Sequence, residues 1–253
     1  MGALIELKNV TNRFGDQVVH DGVNLTLMEN ETLGLVGGSG SGKSVLLRTM
    51  LGLNKPAKGQ VLVEGTDLYL LSPEEMLPIQ KQWGVLFQNG ALFSGLTVLD
   101  NVAFALREHT ALSEKAIEDL AFLKLQMVGL EPETADKYPA ALSGGMATRA
   151  GVARAMALDP KILFLDEPTG ALDPVAAGSL DGLMRSLHDI LKLSILVITH
   201  DPNTLVNVCN RIAMIVDGRV ESGTLDELLK SPEPKVQEYF SGKRVKAVLA
   251  ERH

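Results

Sequence analysis

The 253-residue chain is long enough to bury a large core, as one domain or as two closely associated subdomains. Hydrophobic residues make up 45% and charged residues 22%, a globular composition that excludes disorder and a collagen-like fibre. A net charge of −7 argues against binding through nucleic-acid phosphates, and the single cysteine, Cys209, excludes an internal disulfide or a thiolate metal cluster.

The first ten residues alternate apolar and polar side chains, include Glu6 and Lys8, and do not read as a signal peptide. No run approaches the roughly 18 apolar residues of a membrane-spanning helix. The expectation is a soluble protein of a reducing compartment.

Residues 4–10 and 24–28 predict short strands, separated by the turn signals Phe14-Gly15-Asp16 and Asp21-Gly22. Residues 32–36 predict a buried strand that runs into a glycine-rich turn and then a helix over 43–51. Strands follow at 60–64 and 84–87, the second leading into a loop over 88–96. Residues 97–158 turn helical, with Val98, Val102 and Leu106 on one face and Ile117, Leu120 and Leu123 or Lys124 on another. Residues 162–165 and 195–199 are unbroken apolar strands of the parallel-sheet type, with a helix over 174–191 between them. Residues 211–216 and 218–221 predict a hairpin. The Pro-Glu-Pro stretch after Ser231 ends the globular pattern, and residues 243–253 form a basic tail. Strands alternating with helices around one all-helical block imply a doubly wound α/β core with a helical insertion.

Three segments carry chemistry. Gly37-Gly38-Ser39-Gly40-Ser41-Gly42-Lys43-Ser44 is glycine, four residues, then Gly-Lys-Ser, placed between a strand and a helix as a phosphate-binding loop requires. Its glycines let successive N–H groups converge on phosphate oxygens, with the helix N-terminus adding positive charge. Lys43 would reach the β- and γ-phosphates and Ser44 would ligate Mg²⁺. The bland alternative is a flexible turn before a helix. Asp166 and Glu167 end the apolar strand 162–165, where Asp166 can hold the metal shell and Glu167 can orient or deprotonate an attacking water. Taken alone they would be an acidic pair entering the Pro168 turn. Leu142-Ser143-Gly144-Gly145-Met146 opens a helix with Ser143 as a plausible N-cap, a second anion-binding helix end or simply a capped helix.

With these motifs in order, the chain resembles the ATP-binding cassette family over residues 4–230. The resemblance extends to Gln88 (the Q-loop), Leu142–Met146 (the signature loop, with Met146 where glutamine is usual), Ala171-Leu172-Asp173 (the D-loop), His200 (the switch histidine) and Phe14, where the family stacks an aromatic ring on adenine. It implies a P-loop NTPase (RecA-like) parallel-sheet core with an antiparallel β subdomain and an inserted α-helical subdomain. The nucleotide-binding domain would span residues 1–230, its helical subdomain about 89–160, and a C-terminal extension 231–253.

As catalytic residues it implies Glu167, His200 and Gln88. For ATP it implies Phe14, Gly37, Gly38, Ser39, Gly40, Ser41, Gly42, Lys43, Ser44 and Val45; for Mg²⁺, Ser44, Gln88 and Asp166. Leu142, Ser143, Gly144, Gly145 and Met146 would reach the partner's ATP across a head-to-tail homodimer, beside the D-loop Asp173.

A narrower resemblance, to the Mla-type phospholipid transporter ATPases, is carried by Phe87–Ser94, by Thr97–Val102 with Leu106–His109, by Ser143–Ala155 and by Pro234–Phe240. It implies a permease in the bacterial inner membrane docked near residues 88–96, through Ala91, Leu92, Phe93 and Leu96. It also implies a location on that membrane's cytoplasmic face, with accessory and substrate-binding subunits and no nucleic-acid partner. The tail residues 243–249 have apolar positions between basic ones and leave three readings open: lipid head groups, the partner ATPase, or disorder. Two other functional readings also stay open: a soluble cassette ATPase acting on nucleic acid or as an assembly factor, and a transporter ATPase for another substrate.

Overall fold

The computed structural model describes residues 2–88 and 92–251. Met1, Asn89, Gly90, Ala91, Arg252 and His253 lie outside the described residues, and with them part of the expected docking loop and the end of the tail.

The chain opens with β1 (Ala3–Phe14) and β2 (Gln17–Met28), one long antiparallel hairpin that turns at Gly15. The expected pair of short strands is corrected here. Asp21-Gly22 does not separate strands; it is an irregularity within β2, where Gly22 takes φ +67° and the register slips between Val10 and Asn12. Then come β3 (Thr32–Gly37), α1 (Lys43–Met50), β4 (Lys58–Val63) and β5 (Thr66–Asp67). The next helix, α2 (Pro73–Gln80), was not anticipated, although Ser72-Pro73-Glu74-Glu75 is a capping box with proline in the first turn.

After β6 (Trp83–Leu86), the predicted helical block resolves into α3 (Val98–His109), α4 (Glu114–Met127) and α5 (Gly144–Ala155). Capping hydroxyls of Thr97, Ser113 and Ser143 begin these helices. The chain continues with β7 (Ile162–Asp166), α6 (Pro174–Leu191), β8 (Ser194–Ile198), α7 (Pro202–Asn207), β9 (Arg211–Val216) and β10 (Arg219–Gly223).

Among the described residues the strands form two sheets, one four-stranded in the order β2-β1-β4-β5 and one six-stranded in the order β10-β9-β3-β8-β7-β6. Strands β9, β3, β8, β7 and β6 are mutually parallel. Both faces of this run are covered, which is why its strands lack a polar alternation. Leu163, Leu165, Ile195 and Val197 pack with α3–α6, while Ile162, Phe164, Leu196 and Ile198 pack with α1 and the antiparallel sheet. The two sheets are hooked together by Glu31. Its carboxylate accepts from Arg211 Nε at 2.7 Å and from the Met28 backbone N–H at 2.8 Å.

The expected end of globular packing at Ser231 is not found. α8 (Leu225–Leu228) is followed by α9 (Pro234–Ser241) and α10 (Lys243–Glu251). Pro234 occupies the first helical turn, where its missing N–H costs nothing, and Glu233 caps it. Val236, Phe240 and Val245 are buried against Leu205, Met214 and Val36, the residue before the phosphate loop begins. The basic tail is thus a helix packed on its own chain. Phe240→Ala should lower stability by about 3 kcal/mol through lost burial and a residual cavity, read as a shift in the urea unfolding midpoint.

Candidate nucleotide site

The parallel strands deliver their following loops to one edge of the sheet. Gly37 leaves β3, and the loop over 38–42 curls back into α1 with Gly40 at φ +75° and Gly42 at φ +98°. Gly42 is the N-cap of α1, and a Cβ there would fall 2.6 Å from both His20 Nε2 and Val19 Cγ1, so the β1–β2 hairpin sits directly under the loop. Lys43 Nζ donates to the carbonyls of Gly37 at 2.9 Å and Gly38 at 3.1 Å, folding over the loop. Ser41 Oγ is buried and has no hydrogen-bond partner among the described residues.

Ser44, at the start of α1, donates through Oγ to Asp166 Oδ2 at 3.3 Å. Asp166 ends β7 and is 6% exposed; burial raises its carboxyl pKa, partly countered by the Ser44 hydrogen bond and the charges of Lys43 and Arg48. Glu167 follows with φ +52°, its N–H bonded to Ile198 O at 2.9 Å. That backbone turn aims Glu167 Oε2 at His200 Nδ1, 2.6 Å away, just beyond β8. Gln88, Gly144, Thr148, Asp166, Glu167 and His200 all line one cavity of about 440 Å³.

The remaining expected residues sit nearby in distinct roles. Phe14 ends β1 half-exposed rather than packed beneath the hairpin. Ser143 does cap α5, accepting from Met146 N–H at 3.3 Å. Gly144 and Gly145 lie against Leu172 and Ala176, so signature loop and D-loop are neighbours within one chain. Leu142 and Met146 pack on the helical core. Asp173 caps α6, accepting from the N–H groups of Val175 and Ala176 at 3.0 Å each. Val45 lies in the first turn of α1 and accepts at its carbonyl from Thr49 Oγ1 at 2.9 Å. Cys209 packs as a small partly buried group, its thiol pKa raised by burial.

Sequence reasoning gave Asn101 no role of its own. It is fully buried on α3; its Oδ1 accepts from Phe93 N–H at 2.7 Å, and its Nδ2 lies within bonding distance of the carbonyls of Phe93, Leu96 and Thr97. It therefore fixes the loop over 93–97 that leads into the helical subdomain. On that loop Leu92 turns inward, whereas Phe93 is 41% exposed and carries the Arg154 guanidinium 4.2 Å above its ring. A buried polar residue in the first turn of an amphipathic helix was the one available signal.

Residues 20–170 match the family described as "ABC transporter". The ribonucleotide transport ATP-binding protein mkl of Mycobacterium leprae (described as probable) is 41% identical over 97% of this chain and 71% of its own length. The intermembrane phospholipid transport ATP-binding protein MlaF of Haemophilus influenzae is 39% identical over 94% of this chain and 90% of its own length. The methionine import ATP-binding protein MetN of Haemophilus ducreyi is 38% identical over 94% and 70%. The dimeric bacterial ABC transporter cassette MJ0796 superposes with a TM-score of 0.80 at 34% identity, over 87% of this chain and 98% of that one. The same cassette is also known as a dimer in a post-hydrolysis state bound to ADP and Pi. This chain belongs to the ABC transporter family. It is an ATPase subunit of such a transporter.

Behind the site, Asp181 on α6 is 3% exposed and accepts from Thr204 Oγ1 at 2.8 Å. Burial pushes its carboxyl from 3.8 up to about 6, the Thr204 bond opposing. An acid with a higher pKa in the folded than in the unfolded chain loses stability as pH rises through that interval, here from about 4 to about 6. Asp181→Asn keeps an acceptor for Thr204 and has no charge to bury. It should exceed wild type at pH 7.5 by roughly 2–3 kcal/mol, with the difference vanishing near pH 4, in denaturant midpoints measured at both pH values.

Proposed function

We propose that the chain hydrolyses Mg²⁺-ATP as a head-to-tail homodimer and drives phospholipid transport through an integral membrane permease at the cytoplasmic face of the bacterial inner membrane. Hydrolysis rests above all on the Glu167–His200 hydrogen bond, which joins the carboxylate after β7 to the imidazole after β8 in the cavity that also holds Asp166. The N–H groups of residues 38–44, with Lys43 swung outward, bind the phosphates, and Phe14 stacks on the base. Ser44, Asp166 and the Gln88 amide oxygen offer an all-oxygen donor set suited to Mg²⁺, with the Asp166 carboxylate buried and 3.3 Å from Ser44 Oγ. When bound, that ion would neutralise charge between β- and γ-phosphate oxygens. Glu167 takes the proton of the attacking water, and His200, oriented by Glu167, contacts the γ-phosphate. Residues 142–146 of the second copy complete the site with helix-end N–H donors.

Glu167→Gln keeps the hydrogen bond to His200 but cannot accept a proton. ATP hydrolysis should fall by about a hundredfold or more with ATP binding retained, and gel filtration with Mg²⁺-ATP should show an accumulated dimer. Turnover near wild type would remove Glu167 from the reaction.

The phospholipid reading is supported by the match to MlaF, which spans nearly the whole of both chains. The similar identities of the mkl and MetN proteins favour a second reading, a transporter ATPase for a small solute. Among the described residues no helix is long and apolar enough to cross a membrane, so a lipid or solute path would belong to other subunits. The exposed Phe93, held by Asn101, supplies an apolar seat for a permease helix. Phe93→Asp should leave ATP affinity unchanged and abolish co-purification with the membrane subunit, since a carboxylate buried there without a partner would cost several kcal/mol. Lipid analysis of the wild-type complex then separates the two substrate classes.

A further inference from the structure

Beneath the phosphate loop lies a buried polar cluster that the reaction described above does not use. Asn12 and His20 face each other across the β1–β2 ladder, 1% and 0% exposed. Asn12 Nδ2 lies 3.0 Å from His20 Nδ1, and Asn12 Oδ1 lies 3.3 Å from Thr49 Oγ1 on α1. Whichever way the Asn12 amide is turned, Nδ1 is the ring nitrogen that pairs with it, and Nε2 is left over. Burial holds the ring neutral, its pKa lowered to about 4. That Nε2 is fully buried and has no hydrogen-bond partner among the described residues. It is directed at Gly42, where a Cβ would fall 2.6 Å away. Gly42 is the left-handed residue at which the loop becomes α1, and no side chain caps it.

We propose that His20 is a positioning residue for ATP binding. Its ring fills the hollow under Gly42 and holds the curl that aims the N–H groups of residues 42–44 and sets the base of Lys43. The Asn12 amide, in contact with both the ring and Thr49 Oγ1, ties His20 to the helix the loop begins. The inference rests on the phosphate-loop reading and deepens it.

A buried ring nitrogen without a partner weakens the free fold, whereas an apolar side chain of similar size there is neutral or stabilising. Stability and nucleotide affinity should therefore move in opposite directions, which a purely structural role would not produce. In the full chain, His20→Leu should melt at or above the wild-type temperature and bind a fluorescent ATP analogue, with Mg²⁺ present, about tenfold more weakly. In the complex with its membrane subunit, KM for ATP should rise similarly while kcat changes by less than about twofold, the mark of lost ground-state binding. His20→Gln, whose side chain reaches as far toward Gly42 as Nε2 does, should recover most of the affinity.

Unchanged affinity in His20→Leu, equal affinities in the Leu and Gln variants, or a lower melting temperature accompanying the loss would each overturn the proposal. Lys43→Ala run in parallel separates the two levels. If Lys43→Ala also binds the analogue as wild type does, the phosphate-loop reading itself fails; if only Lys43→Ala loses affinity, the role of His20 alone is refuted.

Discussion

Parallel strands cannot expose a face to water without leaving their crossovers uncovered, and this requirement organises the molecule. β3, β7 and β8 are buried along nearly their whole length and are locked in register, with Leu35 and Asp166 both opposite Ile198 of β8. Their carboxyl ends are therefore level. The turn after β3 carries the glycines and Lys43, the turn after β7 presents Asp166 and Glu167, and the turn after β8 presents His200. The contacts at 3.3 and 2.6 Å that tie Ser44 to Asp166 and Glu167 to His200 follow from strand register, not from the short side chains that make them. The geometry of the candidate site is an edge property of a packed sheet.

The parts readable from the sequence were those encoded by neighbours in the chain. The phosphate loop, the acidic end of β7 and the cap at Ser143 each fit within a dozen residues, and each is where its pattern placed it. Features set by distant contacts were missed or misread. Pro232 and Pro234 read as a stop, yet Pro234 begins a helix because Val236 and Phe240 have a cluster to enter, built from residues of β3, α7 and β9. The first hairpin reads as two short strands because Asp21-Gly22 has the composition of a turn; only pairing with β1 keeps β2 going through it. Asn101 and His20 are polar residues in amphipathic elements, and their partners are backbone or side chains that period and composition do not report.

The chemistry of ATP is built into this chain, whereas the choice of cargo is not. Relatives named for phospholipid, ribonucleotide and methionine transport are 39%, 41% and 38% identical to this chain. That spread is the expected result when one fold serves many transporters and specificity resides in other subunits. Phe93 is one exposed apolar residue of this chain, its backbone held by Asn101 and its ring covered by Arg154 of α5. A force on the Phe93 ring is thus one side chain away from α5.

The position of β3 also governs when the molecule acquires its binding loop. Although residues 32–44 leave the ribosome early, both strands flanking β3 come from residues 194–216, and Val36 is sealed by side chains beyond 235. A nascent chain that has emerged only through the helical subdomain has the glycines of the loop and the hairpin beneath them but lacks β8 and β9, the strands on either side of β3. Pairings this distant in sequence are slow to form and leave apolar edges open while they wait. During synthesis, therefore, the segment over 32–44 is a late structure, completed only once the residues that flank and seal β3 have been made.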